Sequence, residues 1–547
     1  MRLDNIQYAQ LQAVELKEPR PSGRSRETSM KFSDVVAIGE VKLGTGADDK
    51  RDNELKVTGG ATEILYNDPC RRFVNGFTIE SNLMRLWHFE RSHVWISDSF
   101  DFHKEPQVFI QFLLYLLFSS PKELGFDPTV RRYIRKVPMH SQATEQTGDP
   151  PQPDEHRWEI AYRYQVGNQF FLAEGPPIYE EAAHRVTSRA TRVWRARKMT
   201  LPDPTDGQDY ELSQEQYVVK DAYLYEDAAL ESNILGRIMS ALRAVEGVDP
   251  DTRRKYCEDA PRYFMHYELD EVVKLPNENE DWAEDDLTSD NSANKRTTST
   301  PTPSLRCPHP ESACHSSSHH NEFHPRPFNS GAGKTTFSQQ ALFRRRKHVR
   351  TVFTQVCQSM YELDDWETFL RCMKDVTQAL YYMRLAGWVH RDISGGNILW
   401  DPVASQARLS DLEYARPYEE VGEAHDSRPG TLAFMAVEYQ ERRYIFNPIA
   451  NRRKPMDVVK FQQPRNIPRP FAYNFYHDLE SLMWLYIWFM IYHPPVHCVP
   501  ESKLDSGASA EALLAVGDEY FSCGIDGSIP RYKMLEHGWD TIELLMY

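Results

Sequence analysis

Residues 388 to 400, WVHRDISGGNILW, constrain this chain more than any other stretch. A triplet, His390-Arg391-Asp392, is followed at a fixed interval by Asn397, giving H-R-D-x-x-x-x-N. Moving a phosphoryl group asks little covalent chemistry of a protein; it asks for a positioned hydroxyl and for metal held against the phosphates. Asp392 can accept the proton of an incoming hydroxyl, and Asn397 offers a neutral oxygen to a magnesium ion. The triplet alone also occurs in solvated loops, so its weight depends on the residues downstream of it. Asp401-Pro402 reads as a turn and Ala407 to Leu409 as a returning strand, which brings Asp411 out beside Asn397 as a second metal ligand.

Further downstream stand GTLAFMAVE, residues 430 to 438, and HDLESLMWLYIW, which begins a long apolar helix. Together with RRFVNGFTIESNLMRLWHFER and KELGFDPTV upstream, and with VHRDISGGNIL and LSDLEYA, these strings resemble the fungal-type protein kinase family, in the family's order, from about residue 30 to about 495. The resemblance implies an α+β chain with a bilobal protein kinase-like fold, a small α/β domain ahead of it and a long insertion in the N-lobe. It implies an ATP-dependent protein kinase that uses ATP and Mg2+ and acts on a protein hydroxyl, Ser or Thr in preference to Tyr. GTLAFMAVE has the frame of the kinase segment ending in Ala-Pro-Glu, with Val437 in place of proline. Asp478 stands where kinases brace the catalytic loop through backbone N–H groups, although a plain helix N-cap accounts for it as well.

Composition narrows the setting. A chain of 547 residues, 40% hydrophobic and 26% charged, is a globular composition long enough for two to four domains. The formal charge of −16 argues against broad nucleic-acid binding, which needs a basic face to displace counterions. Neither Val108 to Phe118 nor Leu482 to Tyr492 is long enough to span a bilayer, so no membrane partner is expected and the protein reads as soluble and intracellular, cytoplasmic or nuclear. Cysteines at 70, 257, 307, 314, 357, 372, 498 and 523 make no disulfide framework and fit a reducing compartment. The protein substrate and the oligomeric state are not legible.

Residues 1 to 30 read as disordered and 31 to 180 as an accessory α/β domain. A strand at Val35 to Ile38 leads into Gly39-Glu40-Val41-Lys42. Asp34, Glu40 and Lys42 form D-x5-E-x-K, similar to the metal site of the PD-(D/E)xK nuclease fold, where carboxylates hold magnesium and the lysine steadies a water. The same letters occur on half-exposed strands whose charges face solvent. Alternation predicts strands over Phe73 to Ile79 and Leu83 to Phe89. The helix Gln107 to Phe118 is apolar nearly all round and is expected to be buried.

The N-lobe is expected from residue 181 to 274. QYVVK ends a β-branched strand with Lys220, the candidate for the α- and β-phosphates, and a helix from Asp227 to Val245 carries Glu231 as that lysine's partner, with Glu226 as the alternative. Under the resemblance, HRVTSRATRVWRAR at 184 to 197 is the hairpin that covers phosphate, with Ser188 and Ala190 where relatives carry glycines. Residues 275 to 340 read as a disordered insertion. Within it, GAGKTT at 331 to 336 misses the first glycine of a phosphate loop, which falls on Phe328, and Cys307, Cys314, His315, His319 and His324 fit no zinc-finger spacing. Arg344 to Lys347 is either a nuclear-import signal or the charged lip of a strand. A strand from Val349 to Met360 and a hinge at Gln358 to Glu362 precede a helix with Phe369, Met373, Val376, Leu380 and Met383 on one face, stopping at Gly387. The C-lobe, 363 to 547, carries an exposed insertion at about 440 to 475 and leaves little chain after Tyr492 for substrate-docking helices.

Two departures touch the site. Ser394 replaces the lysine usual in serine/threonine kinases, so transition-state charge must lean on Lys220 and metal. Asp411-Leu412-Glu413 replaces Asp-Phe-Gly, giving a segment less able to flip outward. Arg391 can bind a phosphate at Ser427 or Thr431, or the acids Glu419, Glu420 and Glu423; Thr431 can instead hydrogen-bond Asp392. A pseudokinase, a PD-(D/E)xK-type nuclease and a small-molecule kinase remain the alternatives.

Overall fold

The computed structural model describes residues 32–138, 156–199, 212–276, 282–284, 345–418, 431–442, 444–445, 471–493, 507–521 and 528–537. The chain is α+β and divides into two units. The first takes the chain to Asp227 and then Glu271–Val352; the second takes Ala228–Asp270 and everything from Phe353. Among the described residues no helix is long and apolar enough to cross a membrane.

In the first unit Asp34 closes a short 3-10 turn, and the opening strand β1 is Ala37–Lys42, later than the expected Val35 start. Gly39 does not turn the chain. It admits the Phe77 ring, since a Cβ there would lie 2.2 Å from Phe77 Cζ. Helix α1, Ala47–Asn67, was not legible in the sequence because its middle carries Gly59-Gly60, a strongly helix-weakening pair. Its buried stripe is Val57, Ala61, Ile64 and Leu65. Gly60 explains itself by packing: a Cβ there would meet Ile38 Cδ1 at 1.8 Å, so the glycine lets the helix lie close on β1. Strand β2, Phe73–Glu80, pairs parallel to β1 with Lys42 opposite Glu80, and antiparallel to β3, Leu83–Glu90. Both strands fall within one residue of the expected spans. Short strands β4, Val94–Ile96, and β5, Phe100–Asp101, complete a five-stranded mixed sheet.

Helix α2, Pro106–Phe118, corrects the expectation of burial. Only Phe112 and Leu116 are buried, and Phe118 is 80% exposed. One stripe suffices for its contact with the sheet: Phe112 meets Phe77 edge-on and Asn75 donates to the Tyr115 hydroxyl at 2.9 Å.

A second sheet follows, with β6 Val130–Pro138, β7 His156–Val166, β8 Gln169–Ala173, β9 Arg192–Met199 and β10 Leu212–Tyr225 joined in antiparallel succession. The expected hairpin at 184–197 is absent, for β9 pairs backward with β8 and residues 185–191 are irregular. Strand β10 also runs on past Lys220, because Tyr217 to Leu224 are buried on both faces and nothing ends the ladder.

Here lies a cluster that no local pattern announces. Asp221 accepts from His348 Nε2 at 2.8 Å and from Arg350 Nε at 2.7 Å, and Arg350 also reaches Asp127 and Thr129. All four ionisable members are buried, so their charges compensate one another rather than being solvated.

The chain then crosses to the second unit for helices α3, Glu231–Arg243, and α4, Pro250–Asp259, and returns through β11, Tyr267–Val272. Strand β12, Lys274–Pro276, pairs with β13, Trp282–Glu284, so the expected disorder from residue 275 is corrected over that hairpin. The GAGKTT string, the cysteines and histidines of 307–324 and the 446–470 part of the expected insertion lie outside the described residues. Strand β14, Arg346–Phe353, stops well short of Met360. Arg346 of the basic run is already in it, donating to Tyr223 O and lying over the Tyr225 ring.

The second unit continues with β15, Gln358–Ser359, and a 3-10 turn over Met360–Glu362 where a continuous strand was expected. Helix α5, Trp366–Leu385, buries Phe369, Val376, Leu380 and Met383 with Cys372 and Ala379, and the chain leaves it through Gly387 at φ 75°. Strand β16, Trp388–Val389, leads to the 390–397 loop, and β17, Ile398–Asp401, pairs with β18, Gln406–Leu409, with Ile398 opposite Leu409. A turn at Val437–Glu441, here α6, precedes α7, Phe475–Tyr492, whose Phe489 stacks on Phe369 with centroids 3.7 Å apart. Helices α8, Gly507–Phe521, and α9, Ser528–His537, come last; buried Arg531 of α9 donates to Ala433 O and Met435 O.

Candidate active site

The loop from His390 to Asn397 is held by hydrogen bonds to Asp478, Ser410 and Thr431. Helix α7 is capped by Asn474 in a reciprocal box with His477, so Asp478, one turn inside, is not the cap. Its buried carboxylate accepts from His390 N at 2.8 Å, Arg391 N at 2.9 Å and the Tyr473 hydroxyl at 2.8 Å. Those bonds hold Arg391 at φ 75°, a left-handed backbone that a non-glycine residue adopts only when fixed from outside. The His390 ring works through both nitrogens. Nε2 donates to Ser410 O at 3.0 Å while Nδ1 accepts the Asp392 amide at 3.3 Å, which sets its tautomer.

Asp392 is half-buried, and its Oδ1 accepts from Thr431 N at 3.0 Å and Thr431 Oγ1 at 3.2 Å. Thr431 therefore takes the hydrogen-bonding role foreseen for it. Asn397 Nδ2 donates to Asp392 O at 2.8 Å, a bond that only the amide nitrogen can make, so Oδ1 is the end presented to a cation. Ser410 N and Oγ both donate to Asn397 O, at 2.9 and 3.1 Å. Asp411 is the next residue, at φ 57°. The β17–β18 register thus ties the segment before Asp411 to Asn397, as the turn at Asp401-Pro402 implied. Magnesium takes one or two protein oxygens and completes its shell with water and phosphate. An amide oxygen and a carboxylate on adjoining strand ends suit that demand.

Glu231, at the start of α3, is buried; its carboxylate accepts from Leu412 N at 3.3 Å and from the Tyr267 hydroxyl at 3.4 Å. Burial and the Glu231 charge raise the Tyr267 phenol well above its ordinary value. The Asp411-Leu412-Glu413 segment is thereby fastened to α3. Arg391 Nη2 donates to the Tyr439 hydroxyl at 3.0 Å. Ser427 and Glu419, Glu420 and Glu423 lie outside the described residues.

Lys220, Ser188 and Ala190 belong to the first unit. Lys220 is buried in β10 opposite Val193. In place of a free hairpin, Ser188 N donates to Arg91 O at 3.2 Å, Arg189 O accepts from Tyr223 N at 2.7 Å, and Ala190, at φ 46°, packs with Ala183 and Tyr223. The E-x-K motif is a charged strand face: Lys42 Nζ meets Asp52 at 2.7 Å, Asp52 also meets Lys56, and Asp52 raises the Lys42 ammonium above its ordinary value. The side chain of Asp34 lies outside the described residues, among which no three His, Cys, Asp or Glu side chains gather to hold a metal.

An oriented acid with an amide and a second acid on neighbouring strand ends is what phosphoryl transfer asks of a protein. The fungal protein kinase family model matches residues 13–490, and the chain belongs to that family. No curated protein matches it.

Sequence reasoning singled out Asp392, Asn397 and Asp411 but not Tyr473 or Tyr267, whose hydroxyls donate to Asp478 and Glu231.

Proposed function

We propose that the protein is an ATP-dependent protein kinase that transfers the γ-phosphoryl group to a protein hydroxyl, Ser or Thr in preference to Tyr. The observation that carries the reading is the fixed relation of Asp392 to Asn397 and, through Ser410, to the backbone of Asp411. Asp392 takes the proton of the incoming hydroxyl as its oxygen attacks the γ-phosphorus, and the bond to the β–γ bridging oxygen breaks to release ADP. Thr431 donates to one Asp392 oxygen from its amide and its hydroxyl, which orients the acid. Asn397 and Asp411 would hold Mg2+, which neutralises phosphate charge when bound. Lys220 is the candidate for the α- and β-phosphates, with Glu231 supporting, and Ser394 contributes no charge to the transferring group.

The 185–191 segment favours a second reading, a nucleotide-binding or interaction module without transfer, because its backbone is committed to Arg91 and Tyr223. Titrating Mg2+ against transfer from γ-labelled ATP to a mixed peptide library separates the two. The kinase reading expects Mg2+-dependent label in peptide and a loss of at least about 100-fold in Asp411→Asn. ATP-dependent thermal stabilisation with no label in peptide supports the module instead.

A further inference from the structure

The 390–397 loop has a second brace besides Asp478. The Tyr361 ring lies against Gly395: a Cβ there would meet Cε1, Cδ1 and Cζ of the ring at 2.6, 2.8 and 2.9 Å. At Gly396 an added Cβ would lie in ordinary contact, 3.6 Å from Cε2 of the ring. Only glycine fits the first position, so Gly395 and Tyr361 are matched parts. The segment bearing Tyr361 is itself sewn to the loop, with Met360 N donating to Gly395 O at 3.2 Å and Ser359 Oγ donating to the same oxygen at 3.2 Å. Around the ring stand Trp488 of α7, edge-on at 5.3 Å, and Phe434, stacked at 6.4 Å, from the segment that also supplies Thr431. One aromatic side chain therefore touches the loop, the helix that carries Asp478 and the segment that orients Asp392.

We propose that Tyr361 is a positioning residue for Asp392, its ring fixing the Ser394-Gly395-Gly396 turn at the place where this chain has no lysine. Resting on the phosphotransfer reading above, the inference adds a residue from outside every motif. A turn with two consecutive glycines has wide conformational freedom unless something lies against it. Positional error at a general base is costly, since a displacement of about 1 Å can lower a rate about 100-fold.

The test uses the full chain as wild type, Tyr361→Phe, Tyr361→Ala and Gly395→Ala, with two readouts. Amide hydrogen exchange of residues 393–398 reports the brace whether or not the protein turns over; steady-state transfer from ATP and Mg2+ to the peptide library reports its use. Tyr361→Ala is expected to speed exchange about 10-fold or more across the turn and to lower kcat about 100-fold with KM for ATP within about twofold. Tyr361→Phe, which keeps the ring, is expected to recover most of both. Gly395→Ala should lose activity beside Tyr361 and regain part of it in the Gly395→Ala, Tyr361→Ala double variant, a coupling that a merely destabilised fold does not produce. Exchange unchanged in Tyr361→Ala, or kcat unchanged while exchange rises, overturns the proposal. A wild type that transfers nothing while exchange responds as expected overturns the phosphotransfer reading and leaves the brace standing.

Discussion

Two polar assemblies in this molecule are built to opposite ends. In the first unit Asp127, Asp221, His348 and Arg350 are at most 2% exposed and answer one another's charges. In the second, Asp392 and Asn397 are half-buried, with Asp392 Oδ1 accepting from Thr431 and Asn397 Nδ2 donating to Asp392 O. The charges of the first assembly show in acidity. Burial alone would raise Asp221, yet His348 and Arg350 overcome it and hold the carboxyl well below the usual range. A carboxylate so stabilised is a poor proton acceptor.

The comparison is sharpened most by removing one partner from the sealed assembly. Arg350→Met leaves two acids buried without their guanidinium and should cost about 3–5 kcal/mol, read from denaturant midpoints, with transfer per folded molecule unchanged. Proton linkage offers a second handle on the first unit. Burial and the His93 charge lower the His88 imidazole to about 4 from 6.5, while its Nδ1 faces Asn75. The folded form thus binds the proton more weakly than the unfolded one. Stability is full above pH 6.5 and should fall by about 3 kcal/mol as pH drops toward 4. His88→Gln should flatten that slope in urea titrations. Below pH 4 the Asp221 contribution, present above its unfolded value, is lost in turn.

In the second unit, Asp478→Asn weakens three hydrogen bonds at once. About 2 kcal/mol of stability should go with a fall in kcat of about 10- to 100-fold, a ratio that the Arg350 change should not show. The smallest effect lies in α1. A Cβ at Gly59 meets nothing within 4 Å, so Gly59→Ala should add about 0.5–1 kcal/mol, whereas Gly60→Ala, facing Ile38, should not.

Legibility in the sequence divides along the same line. The β2–β3 hairpin, α5 and the 390–411 segment were legible because alternation, helical stripes and fixed spacing are local. The Asp127, Asp221, His348 and Arg350 cluster was not, since its members come from distant segments and each looks like an ordinary charge. Helix α1 was hidden by a glycine pair, of which Gly60 has its reason in packing against Ile38. The apolarity of α2 implied burial on every side, yet a sheet covers only one stripe. The hairpin expected at 184–197 failed because β9 pairs with β8 rather than with residues 184–191. At the site, Asp392, Asn397 and Asp411 were visible in spacing, while the tyrosines bracing them carry no pattern.

The most direct measurement is label transfer from γ-labelled ATP by wild type and Asp392→Asn, each first shown by thermal shift to bind ATP with Mg2+ equally. The account predicts transfer by wild type and a loss of about 100-fold or more in the variant with binding intact. Equal transfer by both proteins would contradict it.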